Sequence, residues 1–313
     1  MAHARDARTG GAVRPRRRAL TFRHSTREVD AVEARETTQY GALAPGPFDR
    51  AVIALTSRVP FNLRGLAILL RRLVTMRLAA GALDVERWGL RIRLHPRDNG
   101  CEKNLLFTPQ MYEPEERVEL AAEIARADAD GRAFTFIDIG ANVGLFSLFV
   151  AAQAGPRARI LAIEPEAGNF ARLQFNIAAN PGLSIRPLAL ALADHEGEVA
   201  VELNRRDRGG TQTRTLTAAA ATASTIRAPC RSLLRVLHDE GIDRIDALKI
   251  DVEGNEDTIL APFFRAAPQS LCPRLIVIED TRDRWSVDVF AVLAAKGYSV
   301  SSRSKLNVML RRG

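Results

Sequence analysis

The sequence predicts an α/β fold in which helices cover both faces of a mostly parallel sheet. Two observations support this prediction. From Phe134 onward, short apolar runs alternate with amphipathic helical patterns, and such alternation is typical of parallel sheets. In addition, several apolar runs end in an acidic residue near a glycine, as strands do at the ligand-binding edge of a doubly wound sheet. The fold class predicted is therefore a Rossmann-like α/β domain.

Each predicted element rests on its own run of residues. The strands are Phe134–Ile139, Arg159–Glu164, Ser184–Leu188, Glu198–Leu203, Asp246–Val252, Leu275–Glu279, Tyr298–Ser302 and Asn307–Leu310. The helices are Gly144–Ala154, Ala167–Ala179, Ser232–Glu240, Glu256–Phe264 and Val287–Lys296. Residues 204–229 are rich in Arg, Gly, Thr and Ala, so we expect a long loop over the sheet edge.

An N-terminal extension of helix and strand precedes this domain. We predict a basic, disordered tail at residues 1–48, the extension at residues 49–130 and the sheet domain at residues 131–313. Within the extension we expect a helix at Phe61–Leu83, one half-buried alternating strand at Asp84–Pro96 and a helix at Glu115–Ala129.

The first of these helices is amphipathic, and its partner stays open. One side carries Leu66, Leu69, Leu70 and Leu73, and the other carries Arg64, Arg71 and Arg72. The helix either packs on the sheet domain or a second subunit, or lies on a membrane surface. A homo-oligomer is therefore one of the open alternatives.

The net charge of +8 comes almost entirely from the N-terminus. Between residues 1 and 27 there are eight arginines and one acid, a net +7. Such an arm is either solvated or in contact with an anionic partner such as a membrane surface. Aromatic residues do not interleave with the arginines, so nucleic-acid binding is not expected. No run of about 18 apolar residues occurs, so no transmembrane segment is expected either.

Cysteine and histidine usage gives no sign of a disulfide framework or a metal. The three cysteines, Cys101, Cys230 and Cys272, are widely spaced, which fits a reducing cytoplasm. The five histidines form no HxxxH or HExxH pattern, so no metal site is predicted from them. The preference for Arg over Lys and the many alanines favour a GC-rich bacterial source.

The most informative stretch is a strand, a glycine turn and a helix at residues 136–147. Asp138 lies on the strand, Gly140 and Asn142 lie in the turn, and Gly144 opens the helix. Gly140 lets the backbone approach a ligand and Gly144 lets the helix pack closely. A dinucleotide fingerprint needs glycine where Asn142 stands and a small residue where Leu145 stands, so a pyrophosphate ligand is disfavoured. S-adenosylmethionine has no phosphate, and the Asp138 carboxylate suits its ammonium.

Two further acids fit the nucleoside part of that ligand. Glu164 ends the second strand, about 25 residues after the glycine turn, where an acid accepts hydrogen bonds from ribose hydroxyls. Asp194 follows the third strand and would receive the adenine amino group, unless it is an ordinary turn residue.

A last acidic cluster ends the strand at residues 246–252. Asp251 and Glu253 precede Gly254, and they would face the same crevice as Asp138. Either they serve the reaction, or they cap the following helix. A further alternative is Mg²⁺ held by Asp251, Glu279 and Asp280, although these acids show no fixed spacing.

Taken together, these motifs resemble the FkbM family of class I S-adenosylmethionine-dependent methyltransferases. The resemblance covers residues from about 96 to 277 and rests on the runs DIGANVG at 138–144, AIEPE at 162–166, ALAD at 191–194 and LKIDVEG at 248–254. Departures are Arg231 before a helix, where the family often has an acid, and Asn255 in place of a bulky residue.

The resemblance implies methyl transfer from S-adenosylmethionine to an oxygen of a small-molecule, glycan or lipid acceptor. It places Asp138, Gly140 and Asn142 in the cofactor pocket, Glu164 at the ribose and Asp194 at the adenine. Asp251 and Glu253 would stand at the reaction edge as the candidate bases, with His195 a weaker third.

Three other functions are alternatives to this one. A non-catalytic cofactor-binding module is opposed by the intact glycines and acids. A nicotinamide-dependent oxidoreductase is opposed by Asn142 and Leu145. A nucleic-acid methyltransferase would need a base-clamping run of Asn or Asp, two prolines and an aromatic residue, and the sequence has none.

Overall fold

The computed structural model of the protein describes residues 38–57, 64–78, 81–202, 212–214 and 225–313. The predicted basic tail lies mostly outside the described residues, which begin at Thr38. The N-terminal elements are α1 (Pro47–Thr56), α2 (Arg64–Arg77), β1 (Leu83–Arg87), β2 (Leu90–Leu94), α3 (Gly100–Phe107) and α4 (Pro114–Ala129).

The elements that follow alternate between strand and helix. They are β3 (Thr135–Ile139), α5 (Leu145–Ala154), β4 (Arg159–Ile163), α6 (Ala167–Ala178), β5 (Ile185–Leu188), β6 (Ala191–Leu192), β7 (Gly197–Glu202), β8 (Gln212–Arg214), β9 (Thr225–Arg231), α7 (Leu233–Asp239), β10 (Ala247–Ile250), α8 (Glu256–Ala266), β11 (Leu275–Glu279), α9 (Val289–Ala295), β12 (Tyr298–Arg303) and β13 (Asn307–Arg312). Single 3₁₀ turns lie at Pro109–Met111, Gln269–Leu271 and Arg282–Arg284.

A seven-stranded sheet forms the centre of the protein, in the order β12-β13-β11-β10-β3-β4-β5. The five strands from β11 to β5 run parallel, and β13 runs antiparallel to both of its neighbours. The order reverses direction between β10 and β3, and in such sheets this switch point is where ligands bind. The predicted Rossmann-like α/β fold is confirmed.

Helices cover both faces of the sheet, as the alternation of buried side chains requires. Phe136 belongs to a core cluster that β3 shares with α4, α5 and the N-terminal elements. Its neighbour Ile137 points to the opposite face, into a second cluster shared with α7, α8 and α9. Because both faces are buried, the central strands are mainly apolar, which is why they were recognisable in the sequence.

The predicted strand at residues 84–96 is wrong: the structure has a two-stranded hairpin instead. β1 and β2 are antiparallel and turn at Trp88 and Gly89, whose φ angles of 55° and 77° are those of a tight primed turn. Arg93 of β2 is buried at 1% exposure and forms an ion pair with Asp84 of β1, with 2.7 Å between Nε and Oδ1. A buried ion pair thus joins the two strands of the hairpin.

A separate small sheet contains the described parts of the predicted loop at residues 204–229, which are residues 212–214 and 225–229. Its strand order is β6-β9-β7-β8, with β7 antiparallel to both β8 and β9. The predicted strand at residues 198–203 therefore belongs to this sheet and not to the central one. The prediction failed because alternation shows that a strand exists but does not show which strand pairs with it.

Two general properties of the described chain bear on its surroundings. Every helix within the described ranges is too short or too polar to cross a bilayer. Cys101, Cys230 and Cys272 are all free thiols. The cytoplasmic location stays a prediction.

Candidate functional site

A cleft opens at the carboxyl ends of β3, β4 and β10, at the switch point of the central sheet. It encloses about 890 Å³, part of which is open to solvent. Six of the eight residues that the sequence singled out line it: Asp138, Gly140, Asn142, Glu164, Asp251 and Glu253. The topology brings them together because parallel strands end at the same edge of a sheet.

The two glycines of the turn after β3 are in close contact with other parts of the protein. Gly140 has φ +74°, and a Cβ atom there would overlap the carbonyl oxygen of Asp251. Gly144 begins α5 with φ +84°, lies outside the cleft lining, and a Cβ there would overlap Leu173. The predicted role of Gly144 in helix packing is thus confirmed, while its contact with a cofactor stays a prediction.

We expect Gly140→Ala to be far more damaging than an alanine at another left-handed glycine. Gly131 has φ +68° and open space at its Cβ position, so Gly131→Ala should cost only backbone strain, about 1–2 kcal/mol. Gly140→Ala adds the overlap with Asp251 and should cost ~2 kcal/mol more. Urea unfolding of the two variants measures this difference. Equal losses of unfolding free energy in the two variants would show that the loops of Gly140 and Asp251 can move apart without cost.

Asp138 and Glu164 are the two acids buried most deeply in the cleft. Asp138 Oδ2 accepts hydrogen bonds from the Ser147 hydroxyl at 2.7 Å and from its backbone N–H at 3.1 Å. Burial raises the pKa of Asp138 above its usual value. Glu164 accepts the backbone N–H of Asn142 at 2.8 Å and that of Glu166 at 2.9 Å. Burial outweighs these two hydrogen bonds and raises the pKa of Glu164 to about 8.

Lys249 is a buried cation among the acids, and the sequence analysis gave it no role. Its Nζ lies 2.8 Å from Asp251 Oδ2 and 4.8 Å from the centre of the Phe146 ring. Burial opposes its charge, but Asp251, Glu113 and Asp138 outweigh that effect and raise the pKa of Lys249. The side chain therefore holds the acid at the end of β10 in place.

Glu113 is a second cleft residue that the sequence analysis missed. It lines the cleft beside Tyr112 and has a left-handed backbone, with φ +40°. Burial raises the pKa of Glu113 to about 7, although the Lys249 ammonium opposes the shift. Its position in the segment before α4 gave no indication of a contact with the sheet edge.

Glu256 holds the loop that carries Asp251 and Glu253. It is fully buried, and its Oε1 accepts the backbone N–H groups of Val252 at 3.1 Å and Gly254 at 3.2 Å. Its Oε2 accepts the Thr281 hydroxyl at 2.6 Å and the Trp285 indole N–H at 2.7 Å. The motif at residues 248–254 gave no indication of this function of Glu256.

A third carboxylate joins Asp251 and Glu253 at the edge of the cleft. Oxygen atoms of Asp251, Glu253 and Glu279 all lie within 4.8 Å of one another, close enough for the three carboxylates to bind one cation. The set differs from the predicted alternative, because Asp280 instead forms ion pairs with Arg282 and Arg303. Burial and the charges of Asp251 and Glu253 raise the pKa of Glu279 to about 8.

We expect Glu279→Gln to raise stability at alkaline pH. An acid whose pKa is raised on folding lowers stability as pH rises from the unfolded value, about 4.3, to the folded value. The variant should therefore unfold at a higher temperature than the parent at about pH 9 and gain little at about pH 5. Thermal unfolding with a chelator present tests this. Glu198→Gln, at an exposed residue 3.4 Å from Arg227, is the control and should have no effect.

The structure places Asp194 away from the cleft lining. Its side chain is 63% exposed, and its Oδ1 lies 2.8 Å from Nδ1 of His195. Neither residue is among the described residues that line the cleft. The contact of Asp194 with adenine, and a role for His195 as a base, stay predictions without support from this geometry.

The charge of the cleft limits the ligands that it can bind. Among the described residues that line it are five carboxyl groups, from Glu113, Asp138, Glu164, Asp251 and Glu253, and one ammonium, from Lys249. A cationic ligand would be attracted here in preference to a pyrophosphate, most strongly above about pH 8, where Glu113 and Glu164 are ionised as well. The arrangement can thus hold a cationic nucleoside and accept a proton at the edge of β10.

One family model and two curated relatives match this chain. Residues 138–300 match the profile of a family described as the methyltransferase FkbM domain. The AMB antimetabolite synthetase AmbE of Pseudomonas aeruginosa is 30% identical over 179 residues, which cover 47% of this chain and 8% of AmbE. Methyltransferase sdnD of Sordaria araneosa is 28% identical over 208 residues, covering 51% of this chain and 80% of sdnD.

Similarity to solved structures is weaker. The human methyltransferase 10 domain containing protein aligns with a TM-score of 0.43 at 15% identity, over 84% of this chain and 94% of its own.

Proposed function

Since the family match spans just over half of its residues, the chain belongs to the FkbM methyltransferase family, and we propose that it transfers a methyl group from S-adenosylmethionine to a hydroxyl oxygen. The acceptor class that we propose is a sugar, a lipid or a secondary metabolite. The observation that carries this proposal is the acidic cleft at the switch point, whose lining includes six of the residues that the motifs supply.

The residues of the cleft fit S-adenosylmethionine in charge. The cofactor carries a net positive charge at neutral pH, and five carboxyl groups line the cleft beside one ammonium. Leu190 and Leu192 add apolar surface on the side of Glu164, and we propose that they contact the adenine.

The polar groups of the cofactor would be held by the first two strand ends. We propose that Glu164 accepts hydrogen bonds from the ribose hydroxyls. We also propose that the Asp138 carboxylate, to which the Ser147 hydroxyl donates a hydrogen bond, attracts the ammonium of the cofactor. Each oxygen of Glu164 already accepts one backbone N–H. A carboxylate oxygen has two acceptor sites, so both oxygens can also bind a hydroxyl.

The end of β10 would serve the acceptor. Bound S-adenosylmethionine supplies a methyl group already activated on a sulfonium, so the protein needs mainly to align the acceptor and to exclude water. We propose that Asp251 and Glu253 receive the proton that the acceptor hydroxyl loses. Lys249 and Glu256 would hold these two residues in position, through the ion pair to Asp251 and the hydrogen bonds to the loop.

Calorimetry with S-adenosylmethionine, followed by detection of S-adenosylhomocysteine across a panel of hydroxylated acceptors, tests the proposal. We expect saturable binding and product formation with one acceptor class. Binding with no product for any acceptor would favour the non-catalytic module, and no saturable binding would reject the cofactor. Asp251→Asn and Glu253→Gln, assayed for kcat with the successful acceptor, would identify the base, since only its loss should lower kcat about 10²–10⁴-fold.

A further inference from the structure

Helix α2 directs an apolar stripe away from the protein. At about 3.6 residues per turn, Leu66, Leu69, Leu73 and Met76 lie on one side of the helix. Their exposed fractions are 56%, 63%, 43% and 66%. With Ile68, α2 carries five of the eleven large apolar side chains that are exposed among the described residues. The stripe is therefore a concentrated feature and not scattered surface.

The opposite side of α2 is firmly attached to the protein. Ala67 and Val74 are buried at 3% and 0% exposure, and Val74 belongs to the core cluster of the N-terminal elements. Arg71 donates to the carbonyl oxygens of Thr56 and Phe107, and Arg97 donates to the Met76 carbonyl at 2.7 Å. Because these contacts fix the rotation of the helix, the stripe cannot turn inward without breaking them.

Arginines border the stripe on both sides. Arg72 lies on one border, one turn from Met76, and Arg77 lies on the other, one turn from Leu73. The Arg77 guanidinium lies 4.9 Å from the centre of the Phe48 ring of α1, which extends the apolar surface by one exposed aromatic side chain. The α2 sequence contains no acidic residue.

We propose that α2 docks the protein on an anionic membrane surface, with the stripe of Leu66, Leu69, Leu73 and Met76 in the acyl region and Arg72 and Arg77 at the lipid phosphates. An apolar centre with cationic borders is the arrangement of helices that lie in a membrane interface. Arginine stems can lie along the acyl chains while the guanidinium groups reach the phosphates. The eight arginines among the first 27 residues carry the same sign of charge and would add to the attraction.

A second copy of the chain fits this face less well. A twofold interface brings the same surface of both copies together, so the arginines of one α2 would meet those of the other. The helix itself contributes no acid to compensate them, and Asp49 of α1, which lies 3.5 Å from Arg77, is the acid that reaches this border. An anionic lipid surface supplies that compensation along the whole length of the stripe.

Vesicle sedimentation of the full chain tests the proposal. We expect binding to vesicles of phosphatidylcholine mixed with phosphatidylglycerol, and much weaker binding to pure phosphatidylcholine. The double variant Leu69→Asp with Leu73→Asp should lower the partition coefficient at least about tenfold, because two leucine side chains that insert into the acyl region are lost. Val118→Asp replaces an apolar side chain of α4 that is 69% exposed, and it should leave the binding unchanged.

Two outcomes would overturn the proposal. One is vesicle binding that the double variant leaves intact, which would assign the contact to the basic tail. The other is a protein that does not bind vesicles but forms dimers that the double variant dissociates in light scattering. Arg72→Gln with Arg77→Gln supplies the charge test, since it should weaken binding to the anionic vesicles more than to phosphatidylcholine.

Discussion

Glu164→Ala is expected to weaken S-adenosylmethionine binding by at least about 100-fold. Two hydrogen bonds from ribose hydroxyls to a carboxylate contribute roughly 1.5–3 kcal/mol each, so losing both costs about two decades of affinity or more. The variant also removes the acceptor of the Asn142 and Glu166 N–H groups, which loosens the loop. Calorimetry measures the affinity, and thermal unfolding shows how much of the change is loss of fold.

A ligand without the ribose hydroxyls separates these two contributions. A dideoxy analogue of S-adenosylhomocysteine should bind the parent and Glu164→Ala with similar affinity, if Glu164 acts on the hydroxyls. Glu198→Ala, which removes an exposed acid far along the chain on β7, is the matched control and should bind both ligands as the parent does. A variant that loses equal affinity for both ligands would assign Glu164 a purely structural role.

The raised pKa of Glu164 gives the same contact a pH signature. In the free protein burial raises the pKa of Glu164 to about 8, and hydrogen bonds from ribose to the ionised form would lower it in the complex. Binding then releases a proton below that pH, so affinity should rise as pH increases toward about 8 and level off above it. The alanine variant should lack this dependence.

Lys249→Met is expected to cost about 3–5 kcal/mol of folding stability near neutral pH. Lys249 is buried and forms an ion pair with Asp251 at 2.8 Å. The negative charges of Glu113 and Asp138 also stabilise its ammonium. Removing one partner of a buried ion pair leaves uncompensated charge, which is the costly case. Urea unfolding measures the loss, and Lys296→Met at an exposed lysine is the control, expected within about 0.5 kcal/mol of the parent.

This loss should depend on pH in a defined direction. Without Lys249 the pKa values of Glu113 and Asp138, which burial already raises, rise further, and a raised acid pKa lowers stability above the unfolded value. The difference between parent and variant should therefore be largest near pH 8 and shrink toward about pH 4, where the acids are protonated. A difference that is constant over this range would contradict an electrostatic cause and indicate lost packing instead.

The residues of the site divide into those that a motif can show and those that it cannot. Six residues of the cleft end a strand or form the turn after it, so local sequence was enough to place them at one edge of the sheet. They are Asp138, Gly140, Asn142, Glu164, Asp251 and Glu253. Glu113 reaches the same cleft from a segment before α4, and Glu279 joins from the next strand. Their proximity depends on strand order and loop path, for which no single stretch of sequence carries a signal.

What the sequence by itself determined is the class of fold and the edge of the sheet where the strand ends meet, because buried parallel strands are apolar runs and their ends carry the turn residues. The tertiary structure alone decided the hairpin at residues 83–94, the separate sheet of β6 to β9 and the choice of Glu253 over Asp280 beside Glu279. It also decided that the stripe on α2 points outward. The reason is physical: periodicity reports only which residues share a face. Contacts between distant parts of the chain determine strand pairing, buried ion pairs such as Asp84 with Arg93, and the side that a helix buries.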